Sequence, residues 1–209
     1  MKHFSSKLLF SALVLGVMST ANPLMAQKYK VDIDKPDFDD LQSPEVGGNT
    51  GKKNFKPKDW LEAEVKFKIT SNDPKIKFVD RVTVKWFVAA KNPAPGGKGY
   101  VLLEKEINHT NVPVGEDVYS SVYLSPTAVK RISGGDRAGK SILSHVGGEL
   151  MINGSKPEGN SGYFSSKGKA GWWTSGKLAR YDKIPLRNKN ETPFKFLWWD
   201  RYAEIEERR

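Results

Sequence analysis

Between residues 61 and 69 the chain alternates without a break. Leu61, Ala63, Val65, Phe67 and Ile69 are apolar, and Glu62, Glu64, Lys66 and Lys68 between them are charged. A side-chain period of two puts every apolar residue on one face of a strand and every charge on the other. The pattern returns where Val82, Val84, Trp86 and Val88 alternate with Arg81, Thr83 and Lys85. Strands of this kind have one dry face, which a second sheet must cover.

The punctuation between apolar runs agrees. Asn72-Asp73-Pro74 and Asn92-Pro93-Ala94-Pro95-Gly96-Gly97 have turn chemistry and bracket the second run. Further strands are expected at 100–107 and 118–124. Ser125-Pro126 then has an N-cap followed by proline at the first helical position, and Gly134-Gly135 stops the helix after about two turns. Gly147-Gly148 between two apolar stretches reads as the turn of a tight hairpin. The Gly, Ser and Lys of 154–171 read as a mobile loop, and 194–205 as a last strand. Many short strands, one short helix and Gly/Pro turns make this an all-β chain, an antiparallel β-sandwich.

The two ends of the chain set its context. Residues 1–26 carry Lys2 and Lys7, an apolar run at 8–18 and small residues after it, the layout of a secretory signal peptide. That run is too short to span a bilayer and no later segment approaches the needed length, so no transmembrane segment is expected. Residues 27–58 hold Asp32, Asp34, Asp37, Asp39 and Asp40 with Pro36, Pro44 and a Gly-rich stretch, and read as an acidic, Gly-rich N-terminal arm or linker. The β-sandwich domain then occupies 59–209. Without cysteine there is no disulfide and no thiolate metal site, so stability rests on an apolar core. The formal net charge is +10, yet export removes chromosomal DNA and cytosolic nucleotide from reach, and no nucleic-acid partner is expected.

Motifs that suggest chemistry fail on context. Gly134-Gly135-Asp136-Arg137-Ala138-Gly139-Lys140-Ser141 fits the phosphate-loop pattern letter for letter. A working loop of that kind leaves a strand and enters a long helix, whereas here a short helix precedes it and a Gly-Gly turn soon follows. His109 and His145 are the only histidines beyond the leader, and neither stands in a nucleophile or metal-binding pattern; both read as loop or strand-edge residues. Glu104 and Glu106 share an exposed strand face, which favours a solvated face over a hydrolytic pair. The aspartates of the arm lack the glycine turn and closing glutamate of a calcium loop. No enzyme activity, cofactor or metal is expected.

Binding residues are therefore sought on the surface. Trp172-Trp173 and Trp198-Trp199 are adjacent pairs, and on strands one member of each would face outward, making Trp173 and Trp199 candidates for stacking on a sugar or a partner. Lys66, Lys68, Arg81 and Lys85 point away from the apolar faces and would form a basic sheet face. The plainer reading of those long cations is protection of strand edges against aggregation. The acidic arm could lie on a basic body, its own or that of another copy.

Lys85-Trp86-Phe87-Val88-Ala89-Ala90-Lys91, Tyr119-Ser120-Ser121-Val122-Tyr123-Leu124-Ser125-Pro126 and Pro193-Phe194-Lys195-Phe196-Leu197-Trp198-Trp199-Asp200 resemble segments of secreted proteins of Akkermansia-type Verrucomicrobia associated with type IV pilus-like gene clusters. The resemblance extends over most of the chain beyond the leader. It implies an immunoglobulin-like sandwich, a place outside the inner membrane, and a structural or adhesive role without known catalysis; it carries over no functional residue. The leader lacks the Gly and following Glu of a pilin cleavage site, which points to an accessory component. The expectation is thus an exported non-enzymatic protein of the periplasm, outer-membrane surface or extracellular space. Its partners would be proteins, in a homo-oligomer or a pilus or cell-envelope assembly. The alternative is a module for host or mucin glycans that uses the exposed tryptophans and the basic face.

Overall fold

A computed structural model describes residues 29–45, 56–135, 139–159 and 161–207. The proposed leader lies outside the described residues. Those described form ten strands: β1 (Tyr29–Ile33), β2 (Asp37–Gln42), β3 (Asp59–Ser71), β4 (Phe78–Lys91), β5 (Tyr100–Pro113), β6 (Asp117–Leu124), β7 (Leu143–Ile152), β8 (Tyr163–Ser165), β9 (Arg187–Asn188) and β10 (Glu204–Ile205), with one α-helix, α1 (Pro126–Ser133). They make two five-stranded sheets. In the first, β3 has β1 and β2 on one side and β6 then β9 on the other; the second runs β10-β5-β4-β7-β8. Every pairing between named strands is antiparallel.

The alternating residues of β3 and β4 face each other across the gap, where Phe67, Ile69, Val82, Val84 and Trp86 are fully buried. This is the all-β sandwich expected from the period-two pattern. The helix closes one end: the Ser125 hydroxyl accepts from Ala128 N–H, Gly134 ends it in the left-handed region at φ 77°, and Ala128, Val129 and Ile132 turn inward. No helix among the described residues is long and apolar enough to cross a membrane.

Four expectations are corrected. Much of the 27–58 segment is not a detached arm: Tyr29 and Val31 are core residues, and β1 and β2 form one edge of the first sheet by pairing with β3 of the same chain. Between them Asp34-Lys35-Pro36 stands opposite only Val65 and Lys66, a one-residue bulge where proline costs no ladder bond. Apolar residues every second position, few as they are, suffice once a pre-formed edge supplies the hydrogen bonds. Residues 46–55 lie outside the described residues.

Gly147 and Gly148 do not turn a hairpin, because β7 runs straight through them. A Cβ at Gly147 would stand 2.8 Å from the Trp173 ring, and one at Gly148 2.3 Å from the Phe164 ring, so these glycines make room for aromatics instead of bending the chain. The 154–171 segment contains β8, paired with β7. Residues 194–205 are not a strand: Thr192 caps a 3-10 turn that begins at Pro193, Trp198 adopts φ 51°, and only β10 is a strand. The chain here must cross from the outer face of the first sheet to the edge of the second, a path no single strand can follow.

Candidate functional site

The crossing segment, residues 189–206, forms a strap over the outer face of the first sheet. Its apolar anchor is Phe194, which is buried, stacks on Tyr123 at 5.4 Å between ring centroids and meets Trp60 edge-on at 5.7 Å. Around this anchor the outward residues of β3 provide charge instead of grease. Glu62 accepts from the Tyr123 hydroxyl at 2.5 Å. Glu64 accepts from the Tyr202 hydroxyl and, at 2.6 Å, from the Arg201 guanidinium. That guanidinium lies 3.8 Å above the Tyr119 ring centroid. Lys189 sits 4.1 Å over the Tyr202 ring and donates to the Leu197 carbonyl.

Burial dominates the ionisation of this layer. It raises the Glu62 carboxyl above the usual carboxylate range, with the Glu64 charge adding to it and the Tyr123 hydrogen bond opposing. It lowers the Lys189 ammonium and raises both tyrosine hydroxyls, which the Glu62 charge raises further.

A second anchor reaches the strap from inside the core. Trp86 Nε1–H donates to the Ser120 hydroxyl at 3.3 Å, Ser120 stands 2.9 Å from His109 Nε2, and His109 Nδ1 stands 3.2 Å from the Ala203 carbonyl. A carbonyl only accepts, so Nδ1 carries the proton; Ser120 then donates to Nε2, and every group in the chain is satisfied with a neutral imidazole. Burial pushes the His109 pKa down to about 4. His109 is therefore a buried tie, not a strand-edge residue. Its place two residues beyond Ile107 on the inward register was the signal for this, available once the strand is carried past 107.

With the strap tied from beneath, its remaining aromatics face solvent. Phe196, Trp198 and Trp199 are 74%, 48% and 73% exposed, and the Lys195 ammonium covers the Phe196 ring at 4.5 Å. Trp199 walls a cleft of about 300 Å³ together with Asn190, Lys195, Glu204 and Glu207. A second, polar cleft of about 580 Å³ lies between β5 and the turn after β9, where Lys105 bridges to Glu191 at 2.8 Å. Among the described residues no group of histidines and carboxylates could hold a metal ion.

The six residues singled out from the sequence do not come together. Trp199 is exposed on the strap. Trp173 is 8% exposed, stacks on Phe87 at 4.7 Å with an interplanar angle of 8°, and donates to Glu149 at 3.4 Å; it offers no face to a ligand. Lys66 and Lys68 belong to β3 and Arg81 and Lys85 to β4, so they lie on the backs of opposite sheets and make no common basic face. Each also meets a carboxylate: Lys66 with Asp34 at 2.9 Å, Lys68 with Asp117 at 3.2 Å, Arg81 with Glu206 at 2.7 Å and Lys85 with Glu106 at 3.5 Å. Glu104, the other carboxylate of the suspected pair, is held by Arg180 at 2.9 Å. The phosphate-loop match begins at the cap of α1 and Lys140 pairs with Asp39 at 3.4 Å; residues 136–138 lie outside the described residues.

A protein-family model matches residues 22–209. The crystal structure of a protein from Akkermansia muciniphila resembles this chain with a TM-score of 0.76 and 34% sequence identity, over 87% of this chain and 95% of that one. No curated protein matches it.

Proposed function

The chain belongs to the same family as that Akkermansia muciniphila protein, and on this premise we propose that it is an exported, non-enzymatic cell-envelope protein that binds other proteins through its C-terminal strap. The observation that carries the reading is the disposition of Phe196, Trp198 and Trp199. Among the described residues only five large apolar side chains are exposed, and three of them fall within four positions of one tied segment. A rigid backbone bearing solvent-facing aromatics loses little entropy when a partner covers them, which is how interface anchors work. The signal-peptide-like layout of residues 1–26 and the family relationship support a place outside the inner membrane, in a pilus-associated or other surface assembly.

The test is recovery of native envelope partners on the immobilised protein and on its Trp199→Ala and Phe196→Ala variants. A specific partner retained by the native protein and lost by both folded variants is the expected result; a partner retained equally by all three overturns the strap as the binding element.

A second reading has its own support. Trp199 beside Asn190, Glu204 and Glu207 combines an aromatic face with planar polar groups, a combination that suits a sugar ring. Binding on a glycan array that Trp199→Ala abolishes would favour it over the protein partner.

A further inference from the structure

Three of the sheets' outermost strands are very short: β8 has three residues, and β9 and β10 have two each. The remaining edge is the one made by β1 and β2, and its two halves differ. β2 presents Asp37, Asp39 and Asp40, a single sign of charge that repels a second copy of itself. β1 reads Tyr29-Lys30-Val31-Asp32-Ile33, with Tyr29 and Val31 buried and Lys30 and Asp32 exposed.

The backbone polarity of β1 follows from its register. Its pairs with β3 run from Tyr29 opposite Ser71 to Ile33 opposite Phe67, and on the same register Asp34 N–H donates to the Lys66 carbonyl at 2.9 Å. Hydrogen-bonding residues alternate along an antiparallel strand, so Lys30 and Asp32 direct their main-chain groups to β3, and Tyr29, Val31 and Ile33 direct theirs away from it. Among the described residues no strand takes up those outward groups. Lys30 and Asp32 likewise form no ion pair among the described residues, in contrast to the four cations on β3 and β4 described above.

We propose that the β1 edge pairs antiparallel with the β1 edge of a second copy, about a two-fold axis at Val31. The fit is self-complementary. Val31 of each copy faces the other in a hydrogen-bonded pair, Tyr29 faces Ile33 in the next such pairs, and Lys30 of each copy faces Asp32 of the other. About six main-chain hydrogen bonds form, and the first sheets of the two copies become one continuous sheet. The antiparallel arrangement sends the two acidic β2 segments in opposite directions, away from each other. The contact is independent of the strap, which lies across the outer face of the sheet and not along this edge.

The experiment is sedimentation equilibrium on the chain from Gln27 onward, at concentrations up to about 1 mM. Native protein should show a reversible monomer–dimer equilibrium. Lys30→Asp or Asp32→Lys places like charges opposite each other at two points and should weaken dimerisation about tenfold or more. The double variant Lys30→Asp/Asp32→Lys restores opposite pairing and should return within about threefold of native. An equimolar mixture of the two single variants should form heterodimer, because one then carries two acids and the other two bases. These side chains are exposed, so the variants fold. Native protein that stays monomeric at the highest concentration overturns the proposal, as does a dimer insensitive to single reversal or not restored by the double one.

Discussion

The two sheets wear different covers, and the two tryptophan pairs show it. Over the second sheet, Trp173 lies flat on Phe87 and joins it and Leu102 in a small apolar cluster, with Trp172 packed beside it. Over the first sheet the strap buries Phe194 and turns Phe196, Trp198 and Trp199 outward. The receiving surfaces account for the contrast. The second sheet offers Gly147 beside Phe87 on its outer face, where the missing side chain leaves a floor for the Trp173 ring, while its neighbour Gly148 faces inward and makes room for Phe164 in the core. The first offers Glu62 and Glu64, which hold Tyr123, Tyr202 and Arg201 by hydrogen bonds. A cover tied by polar groups need not turn all its aromatics inward, and those left over are free for contact.

The largest expected effect tests the apolar cover. Trp173→Ala removes a buried ring stacked on Phe87 and should cost about 3–4 kcal/mol of unfolding free energy in chemical denaturation; a cost near that of a surface residue would show that this cover is not part of the core. Next comes the pH response of the polar tie. The native His109 pKa of about 4 is below the ordinary 6.5, so on acidification the unfolded chain takes up the proton first. The stabilisation from the neutral imidazole is complete above pH 6.5 and is lost as pH falls toward 4, by about 3 kcal/mol across that window. Denaturation midpoints of native protein and of His109→Gln across this range should converge at low pH, and parallel curves would refute the tie.

Gly148→Ala comes third. Its Cβ would meet the Lys85 carbonyl at 2.4 Å and the Phe164 ring at 2.3 Å, and overpacking of this kind should cost about 2 kcal/mol, read as a lowered melting temperature. The smallest effect belongs to Trp199→Ala, which should stay within about 0.5 kcal/mol of native. Equal destabilisation by Trp199→Ala and Trp173→Ala would erase the distinction between the covers.

Much of the sandwich was legible in the residues. The parity of β3 and β4 assigned inward and outward sides correctly, and Ser125, Pro126 and Gly134 bounded α1 through capping rules that act within one turn. The misreadings share a cause. Gly147-Gly148 looks like a turn because glycine there permits bending, but the same lack of a side chain serves as space for rings that arrive from about 16 to 26 residues later in the chain. The segment with Trp198 and Trp199 looks like a strand by composition, yet its backbone follows the two sheets it must link. Of the two tryptophan candidates only Trp199 is exposed as expected, because adjacent residues point to opposite faces on a strand alone, and neither tryptophan pair lies on one.

The sequence by itself determined that this chain makes one-sided strands, where one helix starts and stops, and that it has no cysteine to staple them. Those are local matters of side-chain period and backbone preference. Which sheet each strand joins, that Lys66 and Arg81 end on opposite backs, and that His109 ties Ala203 to Ser120 were decided only in three dimensions. The physical reason is that burial and hydrogen-bond satisfaction depend on what stands opposite, and in an antiparallel sandwich the opposite residue comes from a distant part of the chain.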